Sequence, residues 1–453
     1  MQNKEFLGTE PIGKLLLKMA IPTVLAQLVN MLYNVVDRIF IGHIEGVGDY
    51  ALTGVGICMP IIMAISAFAA LISSGGAPRA SICLGEGKPK DAERILGSCF
   101  SLQILVSVIL TAVILIFNRD LLMVFGASDN TVGYAADYMG IYAMGTVFVQ
   151  LTLGMNAYIT AQGATRVSMI SVLIGAVANI VLDPILIYAF GMGVKGAALA
   201  TVISQALSCS WALSFLFGNK TVLKIKKENL KIEARVVLPC IALGLAPFIM
   251  QMSESVISVC FNSSLQSYGG DIAVGAMTIL TSVMQFAMLP LQGVAQGAQP
   301  ITSYNYGAKN KERVKQSFFM LLKVSLAYSV FLWACIMLFP GAFASVFTNK
   351  PELIEFTENA LRIYCGVLCI FGMQVAAQMT FISLGKALSS ITVAVVRKFV
   401  LLLPLIFIVP HFVDDKTMGV YLAEPIADTL AVTFTTILFV FQFRKALREM
   451  DKI

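Results

Sequence analysis

The chain has 453 residues, of which 58% are apolar and only 13% charged, against roughly a quarter charged in an ordinary soluble domain. Its formal net charge is +6, from 32 Lys and Arg against 26 Asp and Glu, and its mean hydropathy is +0.82. This balance excludes a soluble enzyme, a disordered chain and a disulfide scaffold, and leaves a polytopic membrane protein.

A bilayer core of roughly 30 Å takes about 20 apolar residues per helix. Twelve runs meet that length: 14–43, 48–78, 92–117, 130–160, 165–190, 193–217, 236–265, 271–301, 314–339, 352–383, 388–411 and 416–442. They are spans one to twelve below. They are too long for strands and lack period-two alternation. Lys4, Glu5, Glu10, Lys14 and Lys18 precede the first run, which carries Asn30, Asn34 and Asp37 and no small-residue cleavage pattern, so a cleaved signal is not expected. Of the 32 Lys and Arg, 24 lie at the termini or in linkers that follow even-numbered spans. Only Arg119, Lys195, Lys350 and Lys416 occupy the opposite linkers. The positive-inside rule then places both termini in the cytoplasm. Because the basic residues sit in short linkers and form no single face, no nucleic-acid partner is expected. The nine Cys include no Cys-x-x-Cys; Cys365 and Cys369 are one turn apart with no His beside them, and His43 and His411 both fall at helix ends. No zinc site and no cofactor follow from that pattern.

The longest polar stretch, Gly218–Arg235, is basic and divides the chain into 1–217, the connector 218–235 and 236–453. It reads as a cytoplasmic connector, with an amphipathic segment on the inner leaflet as the alternative. The halves match at an offset of 222: Asp49 with Asp271, Gly75 with Gly297, Pro78 with Pro300, Gly85 with Gly307 and Gly163 with Gly385. The linkers starting at Gly87 and Ala308 agree one residue out of step, and Ala-Ile-Pro22 resembles Leu-Ala-Pro247. Each half has six spans, so both enter from the same side. The expected fold is an all-α polytopic membrane protein, twelve transmembrane helices in two six-helix lobes related by a parallel internal repeat, with a cleft between them.

Acids inside a membrane are costly and mark functional positions. Asp37 lies six residues before the outer end of span one and Asp183 seven before that of span five. At ~1.5 Å per residue both sit about 10 Å inside, so they can meet. Asn30, Tyr33 and Asn34 share the Asp37 face, Asn179 is one turn from Asp183, and Thr201 reaches a similar depth. Carboxylates, a carboxamide and a hydroxyl are hard oxygen ligands that suit sodium, at Asp37 and Asp183, or a shared proton. At the repeat offset Asp183 falls on Leu405 and Asn179 on Leu401, so the pair belongs to the first lobe. Pro22, four turns below Asp37, removes a backbone hydrogen bond and is a candidate hinge. Gln285, Gln292, Gln296 and Gln299 fall within about 60° on span eight and form one stripe toward the cleft. Glu254, Asn156, Met252 and Met288 are further candidates for the cavity wall, Met suiting promiscuous binding. Arg397 needs acids, and Glu424 and Asp428 are available for a structural ion pair.

Several of these stretches resemble the multidrug and toxic compound extrusion (MATE) transporters. They are Ala20-Ile-Pro22, Asp37-Arg-Ile-Phe-Ile-Gly42, Asn179-Ile-Val-Leu-Asp183-Pro184, Gly297-Ala-Gln-Pro300, Tyr304-Asn-Tyr-Gly-Ala308 and Gly419 to Asp428. The resemblance covers essentially the whole chain and is greatest to the MepA-type bacterial exporters. It implies cation-coupled antiport, with Na+ or H+ exchanged for amphipathic cationic drugs, by a monomer in the lipid bilayer of a bacterial plasma membrane. It also implies that Asp37, Asn179, Asp183 and Thr201 hold the coupling ion. The acid that other members carry in span ten is missing here, although Glu254 resembles their span-seven acid. The alternative within the same superfamily is a lipid-linked saccharide flippase, which would favour Arg and Lys in the cavity. An intramembrane enzyme would need a nucleophile–base pair or a metal cluster, and a channel a continuous polar pore.

Overall fold

The computed structural model describes residues 6–451, so Lys4, Glu5 and Lys452 of the charge pattern lie outside the described residues. Among the described residues every regular element is helical. Nine helices are long and apolar enough to cross a membrane, and two further pairs pass together as bent spans. One of the nine, Ala234–Gly307, is 74 residues long and breaks at Gly270, whose φ of 64° only glycine adopts freely. Counting it as spans seven and eight gives twelve.

Both bent spans occupy the same place in their lobes. Span four runs Val132–Met144 and Thr146–Ala161 with a bend of 56°; span ten runs Pro351–Tyr364 and Leu368–Ser383 with a bend of 45°. The first break falls at Gly145 and the second at 365–367, the same position at the repeat offset. Gly145 also lets span six approach: a Cβ there would lie 2.5 Å from the Val202 side chain.

The linkers correct one expectation. Gly87 and Lys309 both take a left-handed φ, 73° and 55°, and they are 222 apart. The turns after spans two and eight are therefore in step, with Gly in one and a strained Lys in the other. The connector is also more than a tether. The Gln162 side-chain carbonyl accepts from Thr221 Oγ1 and from the Val222 and Leu223 N–H groups, Lys226 pairs with buried Glu93, and Leu223 is fully buried. It is docked on the first lobe through these contacts, with Ile232 left exposed.

Each lobe has a core near either membrane face, and the first helix of each lobe crosses to the other. Leu15, Leu16, Met19 and Ala20 of span one pack with Phe318, Phe381 and Phe439 of the second lobe, whereas Ile41 joins the first-lobe core. Reciprocally, Val237 and Cys240 of span seven join the first lobe, and Ile257, Phe261 and Leu265 the second. Pro22 and Pro247 interrupt the backbone hydrogen bonding of these two helices.

The lobes are sealed on the side of the basic linkers by backbone contact. A Cβ on Gly75 would lie 1.8 Å from the Cys240 carbonyl oxygen, and one on Gly244 the same distance from that of Leu71. Gly85 meets Tyr304, and Gly307 meets Ile82, a contact and its repeat-related copy. Toward the other side the facing polar residues Asn30, Asn34, Glu254, Gln285 and Gln292 are exposed. The cleft opens there.

Candidate functional site

The site is built where the upper part of span one packs on span five. Pro184, which lacks an N–H, leads span five into a π turn at Ile185–Ala189. The Tyr188 hydroxyl in that turn donates to the Phe40 carbonyl at 2.6 Å and holds the end of span one. Below it Asp37 and Asp183 come within hydrogen-bonding reach of each other. They are 8% and 0% exposed, and Asn179 beside them 1%. The Asn179 amide donates to Asp183 Oδ1 at 3.2 Å and to Thr201 Oγ1 at 3.4 Å.

Three buried oxygens here have no protein donor: Asp37 Oδ1, Asp183 Oδ2 and Asn179 Oδ1. Leaving such groups unpaired costs about 1–3 kcal/mol each, and two adjacent carboxylates in a low dielectric cannot both stay charged without a counter-charge. The cluster therefore fits a small hard cation or a shared proton. Tyr33 and Tyr138 close it: Tyr33 reaches Asn34 and Gln205, and Tyr138 reaches Thr201. Tyr138 and Gln205 were not singled out by the sequence, where they look like ordinary helix residues.

Two residues expected at this site stand aside from it. Asn30 and Asn34 are exposed, and the Asn34 amide donates to the Asn30 carbonyl at 2.6 Å. They form the cleft wall one and two turns below the acids, because the i−3 and i−7 positions drift off the face that meets span five.

The proposed cavity residues divide likewise. Glu254, Met252, Gln285 and Gln292 are exposed. Gln296 is half-buried and accepts from Gln27 Nε2 at 3.0 Å, an interlobe bond; Thr23 Oγ1 donates to the Gly293 carbonyl one turn away. Met288 packs against the second-lobe core. Asn156 is half-buried, and its amide donates to Ser171, where Ser171 meets Ser208. Arg397 sits between the two expected acids, Nε to Asp428 at 2.8 Å and Nη2 to Glu424 at 3.2 Å, with Phe371 beneath its guanidinium. Lys398, the residue after Arg397, holds Glu254 Oε1 at 2.6 Å.

A sequence profile of the MatE family matches residues 22–185 and 247–408, one match in each lobe. The chain is similar to the multidrug export protein MepA of Staphylococcus haemolyticus, 24% identical over 442 residues that cover 97% of this chain and 96% of that protein. It is similar to MepA of Staphylococcus aureus at 23% over 408 residues, 89% and 88% of the two chains. Its fold matches a crystal structure of MATE in the bent conformation with a TM-score of 0.93 and 23% identity, over the full length of both.

Proposed function

Because the chain belongs to the MatE family of membrane transporters, and is thus a multi-pass transporter and not an enzyme, we propose that it exports amphipathic cationic drugs in exchange for an inward-moving Na+ or H+. The observation that carries this reading is the Asp37–Asp183 pair with its three unpaired oxygens, buried in one lobe beside a cleft that the two lobes share. With the basic linkers in the cytoplasm, the sealed face is cytoplasmic and the cleft opens outward. An ion entering from outside reaches the acids and neutralises them. Span one is held to the second lobe from Leu15 to Gln27, on both sides of Pro22, and to the first lobe near its outer end at Ile41. Neutralising Asp37 changes what holds the upper part, and the backbone hydrogen bond missing at Pro22 lets span one flex in response. The flippase alternative is less well supported: Lys398, the basic side chain behind Glu254, is already paired to it.

The test is efflux of a cationic dye from proteoliposomes under a sodium gradient or a pH gradient imposed separately. One gradient should drive efflux in the wild type, and Asp37→Asn and Asp183→Asn should each lose it. Dye movement that survives both substitutions would place coupling elsewhere. Failure of the wild type under both gradients would overturn the exporter reading.

A further inference from the structure

Span eleven passes through a π segment at Val396–Leu402. The wider turn brings two consecutive cations inside the lobe, Arg397 at 8% and Lys398 at 5% exposed. Arg397 is fully engaged by Asp428, Glu424 and Phe371. Lys398 points to span seven and Glu254. The pair is lopsided: the Lys398 side chain is 6% exposed and that of Glu254 63%. Glu254 belongs to a polar stripe with Gln251 and Ser258, all exposed. A stripe of this kind facing lipid would be costly, so it faces the cleft, as Gln285 and Gln292 do. The wall thus presents a carboxylate with an ammonium fixed behind it.

We propose that Lys398 is a built-in counter-ion that sets how tightly the cleft holds a cationic cargo, a proposal that rests on the exporter reading above. The Lys398 ammonium holds Glu254 Oε1 from inside the lobe, and Oε2 is left for a cation in the cleft. An unopposed carboxylate in a partly dry cleft binds a cation strongly and releases it slowly. An exporter needs a site strong enough to load and weak enough to empty, the same compromise that conduction imposes on ion sites. Lys398 supplies that compromise as a fixed charge. It also separates cargo by charge, because a neutral molecule of similar shape gains nothing from either partner. Arg397, Glu424 and Asp428 close the cluster behind it and hold Lys398 in place without taking its ammonium.

The experiment is equilibrium binding of rhodamine 6G, a lipophilic cation, and Nile red, a neutral dye, to the purified full-length protein in nanodiscs. Lys398→Met keeps the apolar stem and removes the charge. Its Kd for rhodamine 6G should fall about tenfold, with Nile red unchanged. In proteoliposomes its KM and kcat for the cation should fall together, because release slows. Glu254→Gln should weaken the cation alone, and Lys398→Arg should behave as wild type. If the Met variant does not fold, Lys398→Gln is read the same way. Unchanged or weaker cation binding in a folded variant overturns the proposal, as does an equal shift for both dyes. Wild-type protein that binds the cation yet moves it under neither gradient overturns the exporter reading while the binding comparison still judges Lys398.

Discussion

The seal between the lobes can be forced open by a single methyl group. A Cβ on Gly75 would stand 1.8 Å from the Cys240 carbonyl oxygen, where a carbon and an oxygen need about 3.3 Å. Gly75→Ala therefore requires spans two and seven to part by roughly 1.5 Å, and the obstacle is backbone, which cannot rotate away. Overpacking of this kind costs about 1–3 kcal/mol. The cost falls on the sealed state, in which this contact exists, so the equilibrium should shift toward separated lobes by roughly 5- to 150-fold. Ser81, fully buried in the seal and bonded to the Pro300 carbonyl, is the reporter. In a cysteine-free background, Ser81→Cys should react with an impermeant maleimide from the basic-linker side faster by that factor when residue 75 is Ala. Gly297→Ala, with its Cβ 2.7 Å from the Ala20 Cα, should act in the same direction and more weakly. Gly56→Ala, with nothing within 4 Å, should leave labelling unchanged. Unaltered labelling in Gly75→Ala would refute the close-contact seal.

Arg397→Ala leaves Glu424 and Asp428 buried without a cation and should cost about 3–5 kcal/mol, read as a fall in the thermal unfolding midpoint; recovery in Arg397→Ala/Glu424→Gln/Asp428→Asn would confirm the cause. Gln162→Ala removes one oxygen that serves three donors of the connector, and hydrogen exchange at Val222 and Leu223 should speed up, with about 1–3 kcal/mol of local stability lost. Pro22→Ala restores a backbone hydrogen bond in span one; efflux should fall while dye binding persists, and normal efflux would remove the hinge from the mechanism.

The sequence already carried the spans, because apolar length reports contact with lipid directly. It carried the repeat through Gly75, Gly85, Gly297 and Gly307, since backbone contact tolerates no other residue at those points. The Asp37–Asp183 pair was legible from depth alone, as both acids are counted from a helix end. Partner identity was not. At 100° per residue, Arg397 and Lys398 belong to different faces, and only the π segment turns both inward. Asn156 was placed by height, which says nothing of the neighbour it faces; Ser171 takes its amide. The connector looked like a free basic strip because its anchor, Gln162, lies some sixty residues earlier.

Two lobes of one ancestry have come to hold their acids in opposite ways. In the first lobe Asp37 and Asp183 face each other with oxygens left unpaired, and Leu405 stands at the repeat-related position of Asp183 in the second. There Glu254, Glu424 and Asp428 are each bonded to Arg397 or Lys398. Acids with fixed cations have little to gain from a mobile one, whereas unpaired acids need a cation or a proton to stay buried. If the coupling ion and the cargo are both cations, this asymmetry keeps them from competing for one site. On the proposed reading, the ion goes where no ammonium is built in, and the cargo meets a carboxylate already half-neutralised. Span one, gripped by the second lobe as far as Gln27 and by the first at Ile41, is the element through which occupancy of one lobe can alter contact with the other.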